Sequence, residues 1–580
     1  MSVQMYKRII FFILLSLSSQ VFSGEGKSYE KIDAFLDDNL EEELGALIKI
    51  PTFRSSASSA AQRLESEKTV RKNLAVSRDY LKTRIELFNQ QQSHLKLQFF
   101  EWPTAGGGLV QGQHRWVYGV RLGSGAKKIS LITHLDTVSP GLDTTWKPFS
   151  PRFEQREFMG KEQVFFVGRG AIDNKGPAVV ALNVLKAIAD EYDHTQALDP
   201  FTLELLFDTA EETDMAMPYY LKDPAVHAPE YGVVFDAMWC IRAEKGIERP
   251  RFFIKTKAGN HKGLWLDSIN SSPGPVNQIP DKAVAIIKGR QSERVAQLAD
   301  DIQQRYQRFK FDDGQYAPAK LNVSFPDKYT IKLTTIVSGA QHGAAPVSNR
   351  KNGANPLVSL VNFSASLIEQ GILEKSRAGS LARFYTWAWG TQVLGEKHPK
   401  LLRREDAVFK GDNGTTYALT QFLTNDEEVG FSLDIRYAAG HQKIKWDGRT
   451  EGLMTGPSEF EENFKQLLAG FYSDQPASII SFSTKNYYTP DIRNPKNSNY
   501  VKLNRAFKMV KGRDCPMRAI GGGTDAKGHP ELIAAGALFE TDMGHPINFH
   551  GINEAAPWQD LKDSGRILYQ LIKNDVEGLK

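Results

Sequence analysis

Four short segments of the chain carry side chains of the kind that bind metal ions. They contribute one histidine and several carboxylates, namely His134, Asp136, Asp173, Glu211, Glu212 and Asp236. In an extended strand, residues two apart face the same side, so His134 and Asp136 point the same way. One of them can bind a metal while the other orients it. Imidazole and carboxylate ligands without thiolates suit catalytic zinc with an open position for water, which makes a zinc site the first expectation.

Each segment also has an ordinary structural interpretation. His134 and Asp136 could be plain surface, and Asp173 could cap the helix that follows the glycine-rich segment 168–177. Asn174 is an equally good candidate for that cap. The acidic run around Glu211 and Glu212 could be a solvated charge run. Taken together, however, these groups follow apolar strands, which is where α/β folds place their sites. A phosphate-binding loop fits segment 168–177 poorly, because the required glycine spacing and the Lys-Ser/Thr ending are absent.

The elements that must position these groups alternate between strand and helix. The apolar patterns predict strands at 129–133, 202–207 and 231–235, and helices at 35–48, at 177–189 and after Pro557. Such alternation favours an α/β sheet covered on its faces. The middle of the chain differs, since it is richer in Gly/Pro turns and polar segments. We therefore predict one α/β domain made from residues 24–249 and 490–580, interrupted by a second domain at 250–489.

The first residues have the pattern of a cleaved secretory signal. Lys7 and Arg8 precede an apolar run from Ile9 to Leu17, and small residues follow at the positions that a signal peptidase reads. A membrane anchor is the alternative, but the run is far shorter than the ~20 residues that a span needs. We expect residues 1–23 to be removed, leaving a periplasmic or secreted protein without a membrane anchor.

Charge and cysteine content exclude some classes and leave one question open. The 580 residues contain 72 Lys and Arg against 68 Asp and Glu, so there is no electrostatic footprint for nucleic acid. Only two cysteines are present, Cys240 and Cys515. An exported protein could join them, but two cysteines do not make a disulfide framework, and the sequence leaves their pairing undecided.

The combined motifs resemble the di-zinc aminoacylase, carboxypeptidase and dipeptidase family, metallopeptidase family M twenty. The matching strings begin with THLDTV at 133–138 and GRGAIDNKGP at 168–177. They continue with the paired glutamates, Asp236 and Ala243–Gly246, and end with Gly521–Asp525 and Phe549–Glu554. The resemblance implies a mixed-sheet α/β catalytic domain with an inserted α+β lid, and the lid strings are similar to the bacterial dipeptidase V-like branch.

The resemblance also implies two zinc ions per chain and a role for each ligand. His134 and Asp236 would bind one ion, Glu212 and His550 the other, and Asp173 would bridge both. Asp136 would orient His134, and Glu211 would act as the general base on a hydroxide shared by the two metals. His545 is an alternative to His550, but the family ligand precedes an Asn-Glu pair, here Asn553-Glu554.

The lid would complete the site. In the resembling branch, His342 would stabilise the oxyanion, a role that needs a positioned donor. Asn277 and Arg436 would hold the carboxylate end of the substrate, for which a guanidinium is well suited. Arg436 could alternatively form an ion pair with a neighbouring acid. The backbone N–H groups of the glycine run would face the same carboxylate, which adds Gly522, Gly523 and Thr524 to the substrate-binding residues.

These expectations amount to a zinc-dependent dipeptidase. An N-acyl amino acid deacylase or a carboxypeptidase would use the same metals and base, and differs only in what fills the pocket. A non-catalytic relative would lack a ligand or the base, whereas all of them are present. Because the lid is large enough to bring His342 over its own active site, a monomer with His342 acting in cis is favoured over a dimer.

Overall fold

The structure is a computed structural model that describes residues 29–578 apart from short internal segments. Those segments are 56–59, 105–108, 111–112, 142–145, 195–197, 214, 256–258, 275, 338–341, 346, 348–349, 351–354, 450–451, 474–479 and 541–543. The predicted signal peptide at 1–23 lies outside the described residues. Of the helices described, none is both long and apolar enough to cross a membrane.

Strands and helices alternate at both ends of the chain, as the apolar patterns predict. The strands are β1 (Gln98–Pro103), β2 (Leu109–Val110), β3 (Gln113–His114), β4 (Trp116–Gly123), β5 (Lys127–His134), β6 (Arg152–Phe158), β7 (Lys161–Val167), β8 (Phe201–Asp208), β9 (Tyr231–Val234), β10 (Ile241–Glu244), β11 (Gly246–Glu248), β12 (Arg251–Ile254), β13 (Leu264–Ser271), β14 (Lys282–Gly289), β15 (Lys320–Asp327), β16 (Thr330–Ile336), β17 (Thr416–Thr424), β18 (Val429–Tyr437), β19 (Gly452–Leu453), β20 (Ser481–Ser483), β21 (Asn486–Tyr488), β22 (Asp491–Ile492), β23 (Arg518–Ile520), β24 (Leu532–Ala534) and β25 (Ala555–Pro557). The helices are α1 (Glu30–Ile48), α2 (Ala60–Asn89), α3 (Lys175–Tyr192), α4 (Met217–Leu221), α5 (Ser292–Arg308), α6 (Pro356–Glu369), α7 (Arg377–Ala388), α8 (Phe460–Ser473), α9 (Ser498–Lys511) and α10 (Trp558–Val576).

The largest sheet is mixed and carries the predicted metal ligands. Its strand order is β1-β4-β8-β5-β9-β24-β10-β22-β19, with β23 beside β10. Strands β8, β5, β9 and β24 run parallel to one another, whereas β1 and β4 add antiparallel pairs at one edge. This arrangement confirms the predicted α/β class with a mixed sheet.

Helix α3 covers this sheet and is almost wholly buried. It packs against both α1 and α10, so that segments from the two ends of the chain meet over one sheet. The helices approach closely at Gly565 of α10, where a Cβ atom would lie 2.8 Å from Leu36 of α1. The resulting hydrophobic core combines residues from 32–241 with residues from 500–572.

A second core belongs to the middle of the chain. It contains buried residues between Phe252 and Ile480. Here a sheet of order β20-β12-β18-β11-β21, with β17 beside β18, accompanies a separate sheet of order β13-β14-β16-β15. The pairs within both sheets are antiparallel, which fits the predicted α+β lid. Strand β11 belongs to the lid sheet, although residues 246–248 fall before the predicted boundary at 250, and β19 belongs to the main sheet.

Cys240 and Cys515 form a disulfide with Cα atoms 6.0 Å apart. The bond joins the segment just before β10 to the segment just before β23, and these two strands are parallel neighbours. It therefore links the two stretches of the chain that together form the main sheet. The sequence left this pairing open, because nothing in it shows that residues 275 positions apart meet in space.

Candidate metal centre and substrate cavity

The predicted metal-binding groups converge at one edge of the main sheet. Strand β5 ends at His134, Glu212 follows β8, and Asp236 follows β9. Because β5 lies between β8 and β9 and runs parallel to both, their carboxyl ends open onto the same crevice. Asp173 reaches this crevice from the loop that precedes α3, and His550 reaches it from the loop before β25.

Asp173 stands between two histidines. Its Oδ1 lies 2.9 Å from Nε2 of His134, and its Oδ2 lies 2.7 Å from Nε2 of His550. The ligand atoms of His134, Asp173 and Asp236 lie within 4.8 Å of one another, as do those of the second group, Asp173, Glu212 and His550. The two groups share Asp173, which is the arrangement that the resemblance implies. His550 rather than His545 belongs to the cluster.

The donor set fits two divalent cations. Each group offers imidazole nitrogen and carboxylate oxygen without thiolate, which is the chemistry of hydrolytic zinc sites. Oε1 of Glu212 is buried and accepts no hydrogen bond from the described residues, although it lies 3.3 Å from Nε2 of His550. A buried carboxylate oxygen without a donor is costly, so a cation suits this position.

The pKa shifts of the clustered side chains also favour bound cations. Burial raises the pKa of Glu211 well above its usual value, and Asp236 and Glu212 raise it further against the effect of His134. Burial and the neighbouring Asp173 raise the pKa of Asp236 to about 7. Although burial lowers it, Glu212 and Asp173 raise the pKa of His550 to about 10. The carboxylates therefore exceed the positive charge that the protein supplies, which favours bound cations.

Asp136 contacts both His134 and Glu211. The backbone oxygen of Asp136 is 2.9 Å from Nδ1 of His134, and its carboxylate Oδ1 is 3.6 Å from the same nitrogen. Oδ1 also accepts a hydrogen bond of 3.1 Å from the backbone N–H of Glu211. The backbone oxygen of Asp136 is thus placed to orient His134, whereas its carboxylate lies too far from Nδ1 for a hydrogen bond. The carboxylate holds the Glu211 loop instead.

Two further residues that the sequence analysis did not assign support these ligands. Arg54 donates from Nη1 to Oδ2 of Asp136 at 3.0 Å and from Nε to Glu67 of α2 at 3.0 Å. Asn174 occupies the N-cap position of α3 but makes no side-chain capping bond. Instead, its Nδ2 donates to Oδ1 of Asp236 at 3.2 Å. The side chain that could have been an ordinary cap therefore positions a ligand.

A buried pair, Arg169 and Glu554, connects the two loops that meet at the bridging position. Glu554 accepts hydrogen bonds from the backbone N–H groups of Gly170 and Asp173 at 3.0 and 3.3 Å. Arg169 forms an ion pair with Glu554 and also donates to the backbone oxygen of His550 at 3.2 Å. One ion pair thus holds the Asp173 loop and the His550 loop together. The sequence marked Glu554 only as part of a motif.

His342 reaches the same site from the lid of the same chain. Its ring centroid lies 4.6 Å from that of His550. Burial above all, with His550 and Arg436, lowers the pKa of His342 well below its usual value, which favours the neutral ring. Because Nδ1 accepts a hydrogen bond of 2.8 Å from the backbone N–H of Ala344, the proton resides on Nε2. A neutral imidazole with Nε2–H is a donor, as the oxyanion role requires.

A single cavity of about 450 Å³ connects the metal ligands to the lid. The predicted substrate-binding residues line it, namely Asn277, Arg436, Gly522, Gly523 and Thr524. Arg436 is buried and forms an ion pair with Asp434, with Nε 2.9 Å from Oδ2, so the alternative interpretation of Arg436 also describes a real contact.

The glycine run contributes donors, with one correction to the prediction. Thr524 donates both its hydroxyl and its backbone N–H to the buried carboxylate of Glu244, at 2.6 and 3.2 Å. Its N–H group is therefore engaged, and Thr524 anchors the loop rather than offering a donor to a ligand. The N–H groups of Gly522 and Gly523 have no acceptor among the described residues and border the cavity.

Comparisons with known proteins agree with this geometry. The chain is 24% identical over 439 residues to a protein of Staphylococcus saprophyticus that is provisionally named a dipeptidase, covering 74% of this chain and 80% of the relative. A similarly named protein of Staphylococcus aureus is 22% identical over 437 residues, with the same coverage of both chains. The structure of human carnosine dipeptidase 1 shares the fold, with a TM-score of 0.51 and 15% identity over 94% of this chain and 98% of that one.

The family model described as peptidase family M20/M25/M40 matches residues 131–574. That segment contains all members of both ligand groups, from His134 to His550. It also contains Glu211 and the lid residues that border the cavity. The chain is therefore a metallopeptidase that belongs to peptidase family M20/M25/M40.

Proposed function

We propose that the protein is a zinc-dependent dipeptidase with two metal ions per chain. The observation that carries this proposal is the layout of the cavity. The metal ligands and Glu211 border the cavity in the part called here the metal end, and the lid residue Arg436 borders the part called here the lid end. The N–H groups of Gly522 and Gly523 border the same cavity. A dipeptide has its scissile carbonyl only one residue from a free carboxylate, so one cavity of about 450 Å³ that is bordered by both kinds of group suits it. The relatives that are provisionally named dipeptidases support the same substrate class.

The residues divide the reaction into positioning, proton transfer and charge stabilisation. Bound zinc ions would polarise the carbonyl and lower the pKa of water. Glu211 accepts the proton of the attacking water and passes it to the leaving amine. Nε2–H of His342 donates to the developing oxyanion, and Arg436 with Asn277 holds the substrate carboxylate. Asp136 holds the Glu211 loop and the ring of His134 in position during the reaction.

Two other activities use the same groups. An N-acyl amino acid deacylase would present an acyl group in place of the N-terminal residue, and a carboxypeptidase would need room for a longer chain. Dipeptides, acetylated amino acids and tripeptides assayed side by side distinguish the three. The proposal expects the highest kcat/KM on dipeptides, loss of activity with a chelator, and recovery on addition of zinc. Preferred hydrolysis of acetylated amino acids would replace the dipeptidase proposal with the deacylase.

We also propose that the protein is exported and works as a monomer. The Cys240–Cys515 disulfide supports an oxidising compartment such as the periplasm or the extracellular space. His342 reaches His550 within one chain, so no partner subunit is needed to complete the site. N-terminal sequencing of the mature protein from cell fractions tests export, and a start near residue 24 is expected. A mature chain beginning at residue 1 in the cytoplasm would contradict it.

A further inference from the structure

The lid end of the cavity contains a second arginine, Arg249, which neither the motifs nor the family resemblance assigned. It follows strand β11 directly, and β11 pairs with β18 in the register Ile247 opposite Arg436. Since residues two apart on a strand face the same side, Arg249 and Asp434 share the face of Ile247 and Arg436. Ile247, Arg249 and Arg436 all line the cavity. The strand register therefore places the side chains of Arg249 and Arg436 on the same face of the lid sheet, where both border the cavity.

Arg249 and Arg436 both form ion pairs with the carboxylate of Asp434. Oδ2 of Asp434 lies 2.9 Å from Nε of Arg436, and Oδ1 lies 3.7 Å from Nε of Arg249. The terminal nitrogens of both side chains have no hydrogen-bond acceptor in the part of the chain that the structure describes. Two positive charges against one negative charge leave a net positive charge at this end. A guanidinium with free terminal nitrogens is a ready partner for a carboxylate.

Arg249 is also fixed in place before any ligand arrives. Its guanidinium lies 4.4 Å from the ring centroid of Tyr487, which lines the same cavity. Its backbone N–H donates to the backbone oxygen of Lys485 at 3.0 Å. The side chain is about one-fifth exposed, so it is neither free in solvent nor sealed away from a ligand. Such fixing reduces the entropy that a ligand must remove on binding.

We infer that Arg249 determines specificity by binding a carboxylate of the C-terminal residue of the substrate. This inference rests on the proposed dipeptidase function. The carboxylate has two possible sources, the main-chain α-carboxylate or an acidic side chain on that residue. In both cases Arg249 acts together with Arg436, and the ring of Tyr487 backs the guanidinium. The inferred role of Arg249 concerns substrate binding alone, and the roles proposed for Glu211 and His342 in the reaction stay the same.

Steady-state kinetics on Ala-Ala, Ala-Gln and Ala-Glu test this inference with the zinc-loaded full chain. Ala-Gln matches Ala-Glu in shape but lacks the second charge. Arg249→Met is expected to raise KM roughly ten- to hundredfold, the range for one charge-assisted hydrogen bond, with kcat within about twofold. The rise applies to all three substrates if the α-carboxylate is bound, and to Ala-Glu alone if the side chain is bound.

Two further variants make the result interpretable. Arg251→Met removes an arginine from the adjacent strand β12, where it pairs with Glu428 and does not line the cavity. It is expected to leave KM unchanged. Arg249→Lys keeps the charge without the planar fork and should give a smaller rise in KM than Arg249→Met. It also replaces Arg249→Met if that variant fails to fold or to retain zinc.

The possible failures are separable. Values of KM within about twofold of wild type in the folded Arg249 variant overturn the inference, as does a fall in kcat at constant KM. In both cases the dipeptidase proposal stands, because the wild-type protein still cleaves the peptides. A wild-type protein that cleaves none of the three peptides argues instead against the proposed function.

Discussion

The two ends of the cavity are built in different ways. At the metal end, hydrogen bonds from separate segments hold the ligands, as Asn174 does for Asp236 and Glu554 does for the Asp173 loop. At the lid end, Arg249 and Arg436 share the carboxylate of Asp434, and their terminal nitrogens have no acceptor among the residues that the structure describes. The metal end is thus organised to hold a fixed geometry, and the lid end to receive a ligand. Substitutions at the two ends should fail in different ways.

The largest expected effect comes from the bridging ligand. Asp173→Ala removes the only carboxylate that the two ligand groups share, so the zinc content should fall from about two ions per chain towards none. Hydrolysis should be lost with the metal. Elemental analysis of the purified variant measures this directly, and Asp267→Ala, a half-exposed lid acid paired with Lys288, is the matched control. Full metal content in Asp173→Ala would contradict the bridging assignment.

The second largest effect is expected from His342, the lid residue beside the metal ligands. Its substitution should lower the rate of hydrolysis without removing the metals. His342→Ala should keep both metals and lose about 10²–10³-fold in kcat, as expected for one oxyanion donor. Mixing inactive His342→Ala with inactive Glu211→Gln chains should recover no activity, because His342 and His550 of one chain already adjoin. Recovered activity would show that the histidine crosses a dimer interface, and the monomer proposal would be abandoned.

The smallest expected effect comes from Arg169, which holds two loops of the metal end together. Arg169→Met breaks the pair with Glu554 that joins the Asp173 and His550 loops. Zinc affinity should fall roughly 10–100-fold, the usual effect of removing a residue that holds a ligand in place. Competition with a chelator of known affinity measures it. Arg251→Met, at a partly exposed pair with Glu428 in the lid, serves as the control. Unchanged affinity in Arg169→Met would mean that the loops hold their positions without this pair.

The same contrast explains how much the sequence predicted. The ligands of the metal end could be proposed from the sequence because each lies in a short motif, as His134 does at the end of a strand and Asp173 just before a helix. The strands and helices around them follow from apolar periodicity. Arg249 could not be found in this way, because the role inferred for it depends on the register between β11 and β18, which lie far apart in the chain. The same is true of Arg54, whose contact with Asp136 is a tertiary one.

Thr524 shows the limit of carrying a role over from a motif. Its position in the glycine run is correct, and it borders the cavity. Its donors, however, are engaged by Glu244, a buried residue 280 positions away in the chain. No local pattern indicates such a partner. The disulfide between Cys240 and Cys515 was undecidable for the same reason.

The most direct test of the central claim is the Glu211→Gln variant. Glutamine keeps the shape of the side chain but cannot accept a proton from the attacking water. The variant should retain about two zinc ions and bind dipeptide normally, with hydrolysis reduced at least about a hundredfold. Metal content, dipeptide binding and turnover are measured on the same preparation, so that loss of metal is not mistaken for loss of the base. Near-normal turnover in a zinc-loaded Glu211→Gln protein would contradict the mechanism.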